Sequence, residues 1–134
     1  MKPMGLMDFV SAARAEITEI GCAELEAMRS DRKDLIVLDV RESSEHEQGH
    51  LKGAMLVPRG ILEAAADASY PKRVQELADA RARPVVLYCA TGGRSAMAAA
   101  TLKRMGFGEV YSLAGGIAQW NAEGRPVAKE ARYV

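Results

Sequence analysis

Cys89 stands at a junction between two kinds of chain. Before it, Val85-Val86-Leu87-Tyr88 is a short apolar run rich in β-branched residues, the pattern of a buried strand. After it, Ala90-Thr91-Gly92-Gly93-Arg94-Ser95 is small, polar and glycine-rich, and the Ala- and Met-rich segment that follows has the composition of a helix packed on a sheet. A thiol therefore sits where a strand ends and a tight turn leads into a helix, which is expected about six residues on. The N–H groups of such a turn, with the unpaired amides of a helix N-terminus, converge on one point and favour negative charge there. A thiol at that point is stabilised as its thiolate, the nucleophilic form, and Arg94 adds a positive charge beside it. Each pKa unit corresponds to about 1.4 kcal/mol, within reach of a few amides and one guanidinium, so no separate general base is required. Gly92 and Gly93 supply the positive φ or the close backbone approach that such a cradle needs.

Other residues of chemical interest lie on a second strand. Leu35-Ile36-Val37-Leu38 is apolar throughout and stops at Asp39-Val40-Arg41. Ligands of parallel α/β sheets collect beyond the carboxyl ends of the strands, which puts Asp39 and Arg41 on the same rim as Cys89. Two readings stand side by side: an ion pair that holds the strand-to-loop junction, or direct service to the site. Ser44 and Glu47 have the spacing of a capping box, so a short helix is expected before Gly49, with His46 on its solvent face. His50, between Gly49 and Leu51, reads as a neutral histidine fixing two loops, with a proton donor as the alternative. Cys22 has no neighbour that would lower its pKa and reads as a small buried hydrophobe.

The elements that must position these residues alternate between strand and helix. Met4, Met7, Val10 and Arg14 fall near helical spacing in an N-terminal helix, residues 1–14, that covers an edge of the domain or makes a dimer or partner contact. A weak strand follows over Ala15–Ile20, then a helix over Cys22–Arg29 with Leu25 and Met28 on one face. Ala54-Met55-Leu56-Val57 reads as a third strand ended by Pro58 and Gly60, with Arg59 at the rim of the site. Ile61–Ala82 holds one or two helices, Pro71 being suited to a first turn. Glu109–Leu113 is the fifth strand, and Ile117-Ala118-Gln119-Trp120 a short helix in which Trp120 anchors the core. From Val127 the tail is polar and without signal. Alternation of this kind argues for a mostly parallel sheet covered on both faces, here as one domain over residues 15–134.

Composition narrows the function. Among 134 residues, 18 basic and 18 acidic side chains cancel and are scattered, which leaves no electrostatic footprint for nucleic acid or an anionic membrane. No apolar run approaches the length of a membrane span, and Asp8 and Arg14 interrupt any signal-like core, so a soluble, cytoplasmic protein is expected. Two cysteines make neither a disulfide scaffold nor a metal site, and no cofactor is implied.

Four blocks of residues together resemble the rhodanese-like domain, over roughly Ile17 to Pro126. They are Leu38-Asp39-Val40-Arg41; Glu45 with Gly49-His50-Leu51 and Gly53-Ala54; Tyr88-Cys89 with Gly92 and Arg94-Ser95; and Gly115-Gly116-Ile117 with Trp120, Gly124 and Pro126. The resemblance implies a three-layer α/β fold with a five-stranded parallel sheet and helices on both faces. It implies a sulfurtransferase in which Cys89 takes a sulfane sulfur from a donor such as thiosulfate or a persulfide and passes it to cyanide or a thiol. Cys89 and Arg94 would then be the catalytic residues, Arg94 closing the loop. Ala90, Thr91, Gly92, Gly93 and Ser95 would bind substrate, with Asp39, Arg41, Glu45 and His50 supporting them. His46 departs from the family pattern, where an aromatic is usual, and so does Pro58-Arg59-Gly60 after the third strand. Phosphatases and arsenate reductases of the same fold place five residues between cysteine and arginine; here there are four, a loop better matched to one sulfur atom than to a phosphate. An interaction module is the alternative of another class, either without chemistry or carrying a persulfide to a protein acceptor; the retained Cys89 argues against an inert one. Arg94 is the only charged residue in the loop, which points to a persulfide as donor. A monomer or a homodimer fits equally.

Overall fold

β4, Pro84–Tyr88, is the third of five strands in a parallel sheet ordered β1-β5-β4-β2-β3 in space, where β1 is Thr18–Ile20, β2 Ile36–Asp39, β3 Met55–Leu56 and β5 Glu109–Leu113. The computed structural model describes residues 2–129. β4 is buried along its whole length, as its unbroken apolar sequence requires of a central parallel strand. The chain reaches β4 from β3 on one side and leaves it for β5 on the other, so β4 ends at the point where the strand order reverses. That is where an open α/β sheet offers a crevice.

Alternation along the strands divides the core in two. Val85, Leu87 and Cys89 join Ile36, Leu38 and Val40 on one face, under α4 (Leu62–Ala66), α5 (Gln75–Ala78) and α6 (Gly93–Arg104). Val86 and Tyr88 join Val37 and Leu113 on the other, under α2 (Cys22–Asp31) and α7 (Gly116–Ala122). The result is the expected three-layer α/β arrangement with helices on both faces. Trp120 is buried in the second cluster and donates its indole N–H to the Pro126 carbonyl at 2.8 Å, so it anchors the core as read from sequence. Cys22 is buried in the same cluster.

α1 (Leu6–Glu16) lies outside α6. Gly5 donates its N–H to the Asp8 carboxylate at 2.8 Å at the start of α1, and Ala13 packs against Ala96 and Ala100, small residues that let the two helices come close. Lys103 and Arg104 of α6 hold the far end through the backbone oxygen and carboxylate of Glu16, at 2.8 and 2.7 Å. This suits the edge-covering reading of the N-terminal helix.

Several local expectations are corrected. α3 (Ser43–Gln48) begins two residues earlier than the Ser44–Glu47 spacing suggested: the Glu42 N–H donates to Glu45 at 3.1 Å, so the capping carboxylate is Glu45. Pro71 lies in a turn and starts no helix, because α5 begins only at Gln75. Arg59 does not reach the site. A 3-10 turn over Arg59–Ile61 turns its guanidinium to Glu63 and Thr101, at 2.9 and 3.2 Å. The tail from Val127 is not featureless, since Ala128 pairs antiparallel with His50; its residues 130–134 lie outside the described residues.

Candidate active site

Cys89 follows the last residue of β4, and α6 begins four residues later at Gly93, sooner than the six expected. Gly92 makes the turn with φ +108°, a conformation only glycine adopts at low cost. Gly93 has no such φ, and a Cβ there would meet Val10 of α1 at 3.5 Å, an ordinary packing distance. Of the two glycines, only Gly92 has the positive φ that the sequence left open between them.

The Cys89 sulfur is almost wholly buried, yet polar groups surround it. The N–H groups of Gly92 and Ser95 donate to it at 3.1 and 3.4 Å, and the Ser95 hydroxyl lies 3.5 Å away. Burial is the largest influence on this thiol and pushes its pKa up. The Ser95 hydroxyl and the N–H groups of Ser95, Gly92 and Thr91 outweigh burial, and the pKa ends below the ordinary thiol value. The cradle is thus narrower than the whole run 90–95, and a side chain leads it. Ser95 Oγ lies 2.8 Å from the hydroxyl of Ser112 on β5, itself fully buried. When the sulfur is a thiolate, Ser112 donates to Ser95 and Ser95 to the sulfur; when it is a thiol, S–H donates to Ser95, which turns its proton toward the Gly92 carbonyl at 3.2 Å.

α7 fixes this loop from behind. The N–H groups of Ile117 and Ala118 donate to the carbonyls of Cys89 and Ala90, both at 3.0 Å, which leaves the loop's own N–H groups free to face the sulfur. The approach is so close that a Cβ on Gly116, whose φ is +58°, would lie 2.5 Å from the Cys89 oxygen. Ala90 thus serves through its carbonyl, while Thr91 lines the cavity over the sulfur.

Arg94 stands beside the loop, but its charge is not free. Its guanidinium forks onto the Glu45 carboxylate at 2.9 and 3.0 Å, and this pair of hydrogen bonds holds the Glu45 pKa down to about 2. Arg94 is accordingly a clamp between α6 and α3, and the positive charge expected beside the thiol is shared with Glu45. Its own pKa is raised chiefly by Glu45, with the nearby Cys89 a smaller contributor.

Asp39 and Arg41 share the rim with Cys89 but belong to the opposite face of the sheet. Arg41 forks onto Asp39 at 3.0 and 2.8 Å and reaches the Gly49 carbonyl at 2.8 Å. Tyr88 and His46 also donate to Asp39, at 2.9 and 2.8 Å. Burial works against the charge on Asp39, but the bonds from Arg41 and then His46 prevail and its pKa stays below the usual carboxylate value. Every lone pair of this carboxylate is committed within the protein. His46 is therefore not solvent-facing: it is buried because Asp39 lies behind α3 and draws its Nδ1–H inward. His50 stacks on it with ring centroids 3.8 Å apart, bonds through Nδ1 to the Leu51 carbonyl at 2.9 Å, and leaves Nε2 without a partner among the described residues. These residues act on Cys89 only at a distance, Asp39 and His46 seating α3, α3 presenting Glu45, and Glu45 holding Arg94.

Sequence reasoning missed Ser112, His46, Tyr88 and the α1 residues that meet the loop. The alternation of β5 places Ser112 on the α6 face, and a serine inside a buried strand was the available signal. Cys89 opens into a cavity of about 250 Å³ bounded by α1, the loop and α6. A larger hollow of about 450 Å³ lies against β3 and α3, and neither cysteine lines it. Among the described residues no cluster of side chains has metal-ligand character, and no helix is long and apolar enough to cross a membrane.

The model of the rhodanese-like domain matches residues 22–123 of this chain. A sulfurtransferase of Allochromatium vinosum is 32% identical over 111 residues, covering 83% of this chain and 94% of the relative. A tRNA uridine(34) hydroxylase of Cytophaga hutchinsonii is 38% identical over 101 residues, 75% of this chain, and the chain spans only 30% of that relative's length. Among solved structures, a protein of unknown function and possible tyrosine phosphatase from Rhodopseudomonas palustris superposes with a TM-score of 0.87 at 29% identity, covering 96% of this chain and 97% of the other.

Proposed function

The chain belongs to the rhodanese-like domain family, and from that premise we propose that it is a sulfurtransferase that carries one sulfur atom as a persulfide on Cys89. The observation that carries this reading is the set of donors around a single buried sulfur: two backbone N–H groups and one hydroxyl. In the first step the Cys89 thiolate attacks the outer sulfur of a sulfane donor, thiosulfate or a persulfide, and the donor's S–S bond breaks with its electron pair leaving on sulfite or a thiolate. The outer sulfur of the resulting Cys–S–S⁻ is anionic and sits one S–S bond from the donors that surround the Cys89 sulfur, preset dipoles that need no reorganisation when the charge arrives. In the second step a thiolate or cyanide attacks that outer sulfur and Cys89 leaves as its thiolate, favoured by the same donors. Neither step needs a cofactor, since each exchanges one sulfur–sulfur bond for another bond to sulfur.

A phosphatase reading, suggested for the Rhodopseudomonas palustris neighbour, is less well supported. Phosphoryl transfer needs a cation aimed at three oxygens, whereas Arg94 is forked onto Glu45, and four residues between Cys89 and Arg94 make a small loop. From the tRNA hydroxylases the proposal takes no substrate. The test is mass spectrometry of the Cys89 peptide after incubation with thiosulfate or an organic persulfide: one added sulfur is expected, absent in Cys89→Ser and lost on adding cyanide. Cys89-dependent hydrolysis of an aryl phosphate without any added sulfur would reverse the ranking.

A further inference from the structure

The cavity over Cys89 has a wall that the sequence did not connect with the chemistry. α1 runs past the mouth of the site, and its Leu6, Met7 and Val10 face Met97 of α6 across the opening. Val10 is buried against Gly93, but Leu6 and Met7 remain 68% and 58% exposed, large apolar side chains held in water at the entrance. Arg14, one turn beyond Val10, lines the same cavity as Arg94. Each of these cations already faces a carboxylate, Arg14 Glu19 at 3.4 Å and Arg94 Glu45 at 2.9 Å, so the mouth suits one added negative charge better than two. At about 30 Å³ per water the cavity holds roughly eight waters, more than a five-heavy-atom inorganic anion fills. α1 precedes residues 22–123, the span that the family model matches.

We propose that α1 is the specificity element of this site, and that the donor it selects is an organic sulfane carrying one negative charge and an apolar body, in preference to thiosulfate. The inference rests on the sulfurtransferase reading and names its substrate class. With a thiosulfonate R–SO₂–S⁻, Cys89 thiolate bonds to the terminal sulfur, the S–S bond breaks, and R–SO₂⁻ leaves with the electron pair. With a hydropersulfide anion R–S–S⁻, the same attack on the terminal sulfur gives Cys89–S–S⁻ and releases R–S⁻. In both, R is left against Leu6, Met7 and Met97 while the transferred sulfur enters the cradle.

Methanethiosulfonate and butanethiosulfonate test this, because their sulfinates leave almost equally well and differ in the length of R. The readout is the ratio of kcat/KM for the two, divided by the same ratio for a free thiol in solution. Butanethiosulfonate is expected to be favoured by about ten-fold or more in the wild-type protein, the discrimination an apolar pocket gives for a few methylenes. The double variant Leu6→Ser/Met7→Gln, made at exposed positions, should bring the ratio to within about two-fold of unity, and Met97→Gln should lower it from the opposite wall. A wild-type ratio near one, or an undiminished ratio in both variants, overturns the proposal while sulfur transfer stands. If none of the donors, thiosulfate included, adds a sulfur to Cys89, the sulfurtransferase reading falls and this inference with it.

Discussion

The two cysteines of this chain are both buried, and what separates them is the hydrogen-bonding capacity of their surroundings. Burial, followed by the negative charge of Glu123, raises the Cys22 pKa, while the donors around Cys89 overcome its burial and lower it. Iodoacetamide near neutral pH should therefore label Cys89 ahead of Cys22 in the folded protein, and peptide mapping of a time course reads this directly. Because the hydroxyl of Ser95 is the leading donor, Ser95→Ala should slow that labelling by about ten-fold and move the rate profile to higher pH, as expected for one lost hydrogen bond to a charged group. Ser112→Ala should move it the same way by less, since Ser112 acts only through Ser95. Glu45 gives a second pH dependence. Its folded pKa of about 2 lies below an unfolded value of about 4.3, so the Arg94 clamp contributes in full above about pH 4.3 and fades as pH falls through about 2. The urea midpoint of Glu45→Gln should lie below that of the wild type at pH 6, by a small margin for a pair about one third exposed, and the two should converge toward pH 2. Residue types announced the thiol and its loop. They showed Ser112 only as a serine inside a buried strand and His46 only as a residue of a short polar helix, because both side chains acquire their meaning from what the fold sets behind them.

At the level of elements, the loop's shape is imposed by a helix that comes much later in the chain. α7 begins with Gly115 and Gly116 so that its first N–H groups can dock on the carbonyls of Cys89 and Ala90. Gly116→Ala would force a Cβ to within 2.5 Å of backbone in a left-handed conformation. It should cost about 3 kcal/mol, from strain at positive φ together with overpacking, and should slow sulfur loading of Cys89 even where the protein is still folded. Denaturant unfolding with single-turnover mass spectrometry separates the two effects. The strands and α7 were legible because apolar runs and glycine punctuation are local signals. β5 falls over Glu109–Leu113 as read from the sequence. The start of α3, the place of Pro71 and the pairing of Ala128 were not: Glu45 rather than Glu47 caps α3, the Ala65 carbonyl receives the Val74 N–H before α5, and only the fold brings His50 beside the tail. α1 was visible as a helix. Its meeting with the cysteine loop was not, because Val10 and Gly93 are 83 positions apart (93 − 10) and only the docking on α6 brings them together.

For the whole molecule, the parallel order sets every strand's carboxyl end on one rim, and the pleat then sorts that rim by face: Cys89 to the α6 side, Asp39 and Tyr88 to the other. This division bears on the two readings of Asp39 and Arg41 that the sequence left open. Asp39 joins β2, β4, α3 and the Gly49 loop through Arg41, Tyr88 and His46, and the Arg41 side chain it neutralises is only 7% exposed. Asp39→Asn keeps the shape but removes the counter-charge, and breaking one side of a buried pair costs about 3–5 kcal/mol. For a chain of this length the melting temperature should fall by roughly 10–20 °C. Removing both charges leaves nothing stranded, so Asp39→Asn combined with Arg41→Met should recover part of the loss, and the shortfall from additivity measures the pair. If the pair is structural, Asp39→Asn protein that remains folded at low temperature should still accept sulfur on Cys89 at a rate close to the wild type. A collapse of loading in fully folded Asp39→Asn would instead place Asp39 in the service of the thiol, and the separation of the two faces would not hold as a functional boundary.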